Sequence, residues 1–163
     1  MHSKIYQVSN SPLNGERSYF NDDYINEYDQ YAIGADYFST LDRAECKRWL
    51  SDYPLYPTLF SRDTTQIFEN GCDVFIYNGN APAVLDAWAR ELTDLIAKFT
   101  SDKNDSRALY HIKRKCEYLY GDHDRFYWDN TCELLDSVSF CQLLTNMKEG
   151  DKIYVGGIID FHW

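Results

Sequence analysis

Between Asn80 and Thr100 the apolar residues Val84, Leu85, Trp88, Leu92, Leu95, Ile96 and Phe99 recur at α-helical spacing. They form a broad stripe that only a helix keeps on one side. Asn80 is a preferred N-cap, and Pro82 suits a first turn, where a missing N–H leaves no gap in the hydrogen-bond ladder. Asp86/Arg90 and Asp94/Lys98 stand four apart on the outer face, acid first, as the helix dipole favours. A helix with so wide an apolar face must be covered by other layers.

The flanking sequence supplies both strands and helices. Lys4–Val8 alternates and is rich in β-formers, so it predicts a first strand. Leu41–Asp52 predicts a helix capped by Ser39 or Thr40 and ended by Pro54 and Pro57. Thr58–Arg62, Thr65–Glu69 and Asp73–Tyr77, separated by Asp63-Thr64 and Asn70-Gly71, read as an antiparallel meander, Asn-Gly being a strong hairpin signal. A helix follows over about Ser106–Tyr120, stopped by Gly121. Asp122–Asn130 reads as a loop, Cys132–Met147 as a helix, and Lys152–Phe161 as a last strand bulged at Gly156-Gly157. Glu16–Phe38 has no clean period. The expected fold is a single α+β domain over residues 1–163, with a small antiparallel sheet of about five strands against about four helices.

Charge narrows the function. Sixteen Lys and Arg face 26 Asp and Glu, a formal net charge of −10. Direct binding to nucleic acid needs a basic stripe, and an anionic membrane surface repels such a chain, so neither is an expected partner. Basic proteins are attracted instead. The one basic run, His111 to Lys115, reads as a solvated helix face. The opening residues carry no secretory apolar run, and no stretch is long and apolar enough for a bilayer. Five cysteines, an odd number with no CxxC, argue against a disulfide framework or a structural zinc site, and Cys116 and Cys132 are expected as buried, reduced thiols. A cytoplasmic location follows from that reading.

Motifs for catalysis are absent: there is no GxSxG, P-loop, GxGxxG or HExxH, and no cofactor is implied. No catalytic residue and no metal ligand is assigned. Asp122-His123-Asp124 is the densest group of potential ligands, but position 5 of an EF-hand loop would be Phe126 and position 6 Tyr127, so that pattern fails. A small metal-dependent hydrolase around Asp122, His123 and Asp124, with His162 as a further member, is the alternative reading; an oligomeric structural protein is another. Asp160 and His162 are expected as a surface pair on one face of the last strand. A Cys–His nucleophile pair is permitted by composition and indicated by nothing.

The most informative stretch is Glu16–Phe38, where six acids against one arginine are interleaved with tyrosines, a net charge of −5. Carboxylates give negative potential and tyrosines give rigid apolar contact, the combination that anchors a protein on a basic groove. Asp122, Asp124, Asp129, Glu133 and Asp136, against Arg125, form a second block at −4. Two such blocks on one face would mimic phosphate spacing. The candidate partner-binding residues are therefore Asp22, Asp23, Tyr24, Glu27, Tyr28, Asp29, Asp36, Asp122, Asp124, Asp129, Glu133 and Asp136. Their expected partner is a basic protein, a nucleic-acid-handling enzyme in particular, and the expected function is inhibition by occupying its groove.

In length, charge and lack of catalytic motifs the chain is similar to small acidic inhibitors from phages and mobile elements. Ile5-Tyr6, Asn14-Gly15 and Tyr31-Ala32-Ile33 resemble the start of one antirestriction family. The resemblance covers under a quarter of the chain and carries no residue roles.

Overall fold

The computed structural model describes residues 2–13, 20–52, 55–66, 68, 70–101, 106–119 and 123–162. Its organising element is the last strand, β7 (Lys152–His162), whose uninterrupted apolar run marks it as buried on both faces. β1 (His2–Ser9) lies antiparallel along one edge of β7, with Ile5 opposite Ile159 and Tyr6 opposite Ile158. The other edge is shared end to end by two short strands. β4 (Asp73–Tyr77) pairs with Lys152 to Val155, and β2 (Tyr37–Thr40) pairs with Ile159 to His162.

Gly156 and Gly157 lie between those two pairings. On the β1 side, Tyr6 and Val8 face Ile158 and Val155, so the two glycines oppose the single residue Gln7. This is the bulge that the paired glycines predict. A Cβ on Gly156 would come within 2.1 Å of the Gln7 amide oxygen and 2.4 Å of Leu13, which explains the residue choice.

β3 (Phe60–Arg62) borders β4, and β5 (Arg125–Trp128) lies parallel to β1, with β6 (Glu133–Asp136) antiparallel at the far edge. The class is α+β as expected, but among the described residues the sheet has seven strands rather than about five and is mixed rather than purely antiparallel. β5 replaces part of the expected loop: Arg125-Phe126-Tyr127-Trp128 is a run of strand formers that acidic neighbours mask. The helix expected over Cys132–Met147 begins only at α5 (Ser137–Leu144), because Asp136 caps it by accepting from the Ser139 N–H at 2.7 Å. Within Thr65–Glu69 no strand forms among the described residues. Asp63 accepts from the Thr65 N–H at 3.0 Å and the Thr65 hydroxyl at 2.6 Å, which closes a turn instead.

Five α-helices are described, against the four expected. α1 (Glu27–Ile33) and the 3-10 turn Asp22–Tyr24 fall in the stretch without a clear period. α2 (Arg43–Asp52) is capped not by Ser39 or Thr40 but by Asp42, which accepts from the Glu45 N–H at 2.8 Å while Glu45 accepts from the Asp42 N–H at 2.9 Å. That reciprocal pair is a capping box. α3 (Ala81–Ser101) begins where the buried Tyr77 hydroxyl accepts from the Ala81 N–H at 3.0 Å; Asn80 turns its side-chain amide to the Thr58 carbonyl. α4 (Ser106–Glu117) folds back on α3, and the Trp88 indole donates to the Lys115 carbonyl at 2.7 Å. No helix among the described residues is long and apolar enough to cross a membrane.

Two cores sandwich the sheet. One face buries Tyr6, Phe75, Phe126, Val155 and Ile158 under α2, α5 and the start of α3, with Phe126 and Phe140 stacked at 4.0 Å and 10° between planes. The other face buries Ile5, Tyr127, Ile159 and Phe161 under Phe20, Ile25 and Phe38. At the β3–β4 end, Lys152 donates to the Asp63 carboxylate at 2.8 Å, and this contact, with the Thr65 hydroxyl and N–H, lowers the Asp63 pKa from 3.8 to about 2. A carboxylate held below its unfolded value stabilises the fold above that value and loses the contribution as pH falls. Asp63→Asn is therefore expected to flatten the fall in stability between pH 3.8 and about 2, read by urea denaturation at each pH. An unchanged acid limb in the variant would contradict this role.

Candidate functional site

The segment from Phe20 to Phe38 crosses the second face of the sheet and divides its side chains by polarity. Phe20 and Ile25 are buried, and Ile33 and Phe38 are half-buried against Ile159 and Phe161. α1 starts where the Asn26 side chain accepts from the Asp29 N–H at 2.9 Å, and it ends at Gly34, whose φ of 71° suits a residue without Cβ. With Ile33 inward, Tyr28 and Tyr31, three positions apart, share the outward face. They are 79% and 88% exposed, and Tyr37 on β2 is 47% exposed.

The acids lie among these rings. Asp22, Asp23, Glu27 and Asp36 are exposed, and Asp29 is half-buried. A hollow of about 620 Å³ is rimmed by Asp22, Asp23, Glu27, Asp36 and Tyr37, with Ile25 and Phe38 in its lining. Neutral donors orient several of the carboxylates: Thr40 Oγ1 donates to Asp22 at 3.0 Å, Asn21 Nδ2 to Asp23 at 3.2 Å and Asn26 Nδ2 to Asp29 at 2.5 Å. Such contacts fix geometry without cancelling charge. Asp36 is the exception, for its hydrogen bond to His162 Nδ1 at 2.8 Å lowers its pKa. No lysine or arginine occurs between Phe20 and Phe38.

The second acidic block is arranged differently. Asp122 lies outside the described residues. Asp124 accepts from the Lys4 N–H at 2.8 Å and the Tyr6 hydroxyl at 3.3 Å. Asp129 is 5% exposed and accepts from Gln7 Nε2 at 3.0 Å. Asp136 caps α5, and Glu133 is exposed while accepting from the Thr131 hydroxyl at 2.7 Å. Three of these carboxylates thus join β1, β5 and α5 to their neighbours. Tyr24, on the first block, is half-buried against Phe20 and Tyr127, at 5.6 and 5.9 Å between ring centroids. Tyr31 and Tyr37 were not assigned to the surface from sequence; the signal for Tyr31 was its three-residue spacing from Tyr28.

His123 Nε2 lies 3.3 Å from the Arg114 guanidinium, and the ring packs 4.0 Å from that of Tyr118. Burial, then the charges of Arg114 and Arg125, lower its pKa from 6.5 to about 4. A site ringed by cations repels a further cation, while the Asp124 carboxylate beside it in sequence points to β1. Among the described residues no group of three or more His, Cys, Asp or Glu side chains is placed to hold a metal ion.

Asp160 and His162 do not pair with each other as expected. Strand alternation puts them on one face of β7, but Asp160 accepts from Lys4 Nζ and bonds His2, whereas His162 turns to Asp36. No protein-family model, curated protein or solved structure matches the chain.

Proposed function

We propose that the protein is a non-enzymatic inhibitor that docks its face formed by residues 22–37 into the basic nucleic-acid-binding groove of a partner enzyme, in the manner of antirestriction and anti-CRISPR proteins. The observation that supports this reading is the acid-rimmed hollow with Tyr37 in its lining, on a segment that also exposes Tyr28 and Tyr31. A partner lysine or arginine entering it would meet carboxylates around an apolar floor. Exposed ion pairs contribute only ~0–1 kcal/mol each, so charge alone does not hold a complex. Flanking tyrosines exclude water from the pairs and add rigid contact area, which strengthens both terms. The net charge of −10 accelerates the encounter with a basic groove.

The test is displacement of a fluorescent oligonucleotide from a panel of nucleases and restriction enzymes. The quadruple variant D22K/D23K/E27K/D29K is expected to be about 100-fold weaker than the natural chain against any enzyme it inhibits, and Y28A/Y31A about 10-fold weaker. Undiminished potency in both variants would sink the assignment of this face, and displacement from no enzyme would sink the inhibitor reading. A second copy of the chain is the competing occupant, since α4 carries Arg107, Lys113, Arg114 and Lys115. Light scattering separates the two, because a monomer leaves the tyrosine face open to a foreign partner.

A further inference from the structure

Beside the Gly156-Gly157 bulge lies a second cavity, of about 420 Å³, with a different chemistry. It opens where neither β2 nor β4 continues along β7: Leu41 donates to the Ile158 carbonyl at 3.1 Å, Cys72 donates to the Val155 carbonyl at 2.8 Å, and Gly156-Gly157 fills the interval. Cys46 of α2 and Cys72 line this cavity together with the two glycines and Arg43. Both cysteines are buried, and they line the same cavity with their thiols near enough to interact. Their outward acceptors are backbone carbonyls, Leu41 for Cys46 at 3.7 Å and Gly156 for Cys72 at 3.2 Å.

The other cysteines are differently placed. Cys116 and Cys132 are exposed, and Cys141 is sealed in the core, where burial pushes its pKa up to about 12. In the touching pair, contact with Cys72 lowers the Cys46 pKa despite burial, while the same contact and burial raise that of Cys72. The two thiols titrate as a unit, in which loss of the first proton makes loss of the second harder. The charges of Arg43 and Lys47 reach Cys72 and those of Asp42 and Glu45 reach Cys46, and Asp42 lines the cavity beside Arg43.

We propose that Cys46 and Cys72 form a thiol–disulfide exchange site that takes a small disulfide, such as glutathione disulfide, from the cavity that both residues line. The Cys46 thiolate attacks one sulfur of the disulfide, whose S–S bond breaks, and the departing thiolate takes up a proton. Cys72 then loses its proton and attacks the Cys46 sulfur of the mixed disulfide, releasing the second glutathione. The protein dithiol is oxidised by two electrons to a Cys46–Cys72 disulfide, and glutathione disulfide is reduced to two thiols.

The native chain is exposed to glutathione disulfide, quenched by alkylation at intervals and mapped as peptides without reduction. The expected product is a Cys46–Cys72 cross-link that forms at the same rate in C116S/C132S. Cys72→Ser is expected to hold a mixed disulfide on Cys46, and Cys46→Ser to leave Cys72 unmodified over the same period. Cys46 and Cys72 remaining reduced while Cys116 and Cys132 take up glutathione would overturn the proposal. So would a cross-link that appears only at denaturant concentrations that unfold the chain, a result that needs no variant.

Discussion

Phe140→Ala is expected to lower the stability of the protein by about 3–5 kcal/mol, the usual cost of emptying a large aromatic site in a close-packed core. Phe140 is fully buried, stacked on Phe126 at 4.0 Å, with Phe60 and Trp128 rings at 6.2 and 6.4 Å. These four rings join α5 to β3 and β5, so the lost volume lies where distant parts of the chain meet and cannot collapse locally. At about 2–4 °C per kcal/mol for a chain of this size, the melting temperature should fall by roughly 10 °C. Phe140→Leu keeps most of the volume and should cost about half as much or less. Equal losses in the two variants, measured by urea denaturation, would show that the site is not close-packed.

The second large effect concerns a charge. Lys4 is 7% exposed, with its ammonium 2.5 Å from the Asp160 carboxylate and 4.2 Å from the centre of the Trp49 ring. Asp160→Ala removes the paired carboxylate and leaves that ammonium over the Trp49 ring. Breaking a buried pair in this way destabilises by ~3–5 kcal/mol when both members are dry. The Asp160 side chain is 17% exposed, so about 2–4 kcal/mol is expected here. Lys4→Met added to Asp160→Ala removes the stranded charge and should recover more than half of the loss. The sign of this coupling is the informative part: additive losses in the double variant would mean that the pair contributes nothing as a pair.

Where the sequence was legible, one physical signal dominated. The stripe from Val84 to Phe99 located α3 to within a residue or two because a single periodicity spans the whole helix. β1 and β7 were clear from their runs of strand-forming residues. β5 was hidden because four residues give too short a window, and its first partner, β1, lies far away in sequence and runs parallel. The β6–α5 boundary was carried by Asp136, whose capping role needs the local geometry of Ser139 to be apparent.

The candidate surface divides along a similar line. Tyr28, Tyr31, Tyr37 and the acids Asp22, Asp23, Glu27 and Asp36 are exposed because the same segment supplies its own apolar anchors, Phe20, Ile25 and Phe38. The burial of Asp129 and the engagement of Asp124 depend on Gln7, Lys4 and Tyr6, more than a hundred residues away, and composition carries no trace of them. Cys116 and Cys132 are exposed rather than buried because α4 packs chiefly on α3, and Cys132 sits in a turn at φ 57°. The contact between Cys46 and Cys72 likewise has no counterpart in their spacing.

Hydrogen–deuterium exchange on the protein, alone and saturated with the enzyme it inhibits most strongly, tests directly whether residues 22–37 are the binding face. Slowed exchange in the backbone amides of α1 and β2, with α4 and β6 unchanged, is the predicted result. Protection confined to α4, or spread over 123–136 with α1 left as in the free chain, would contradict it.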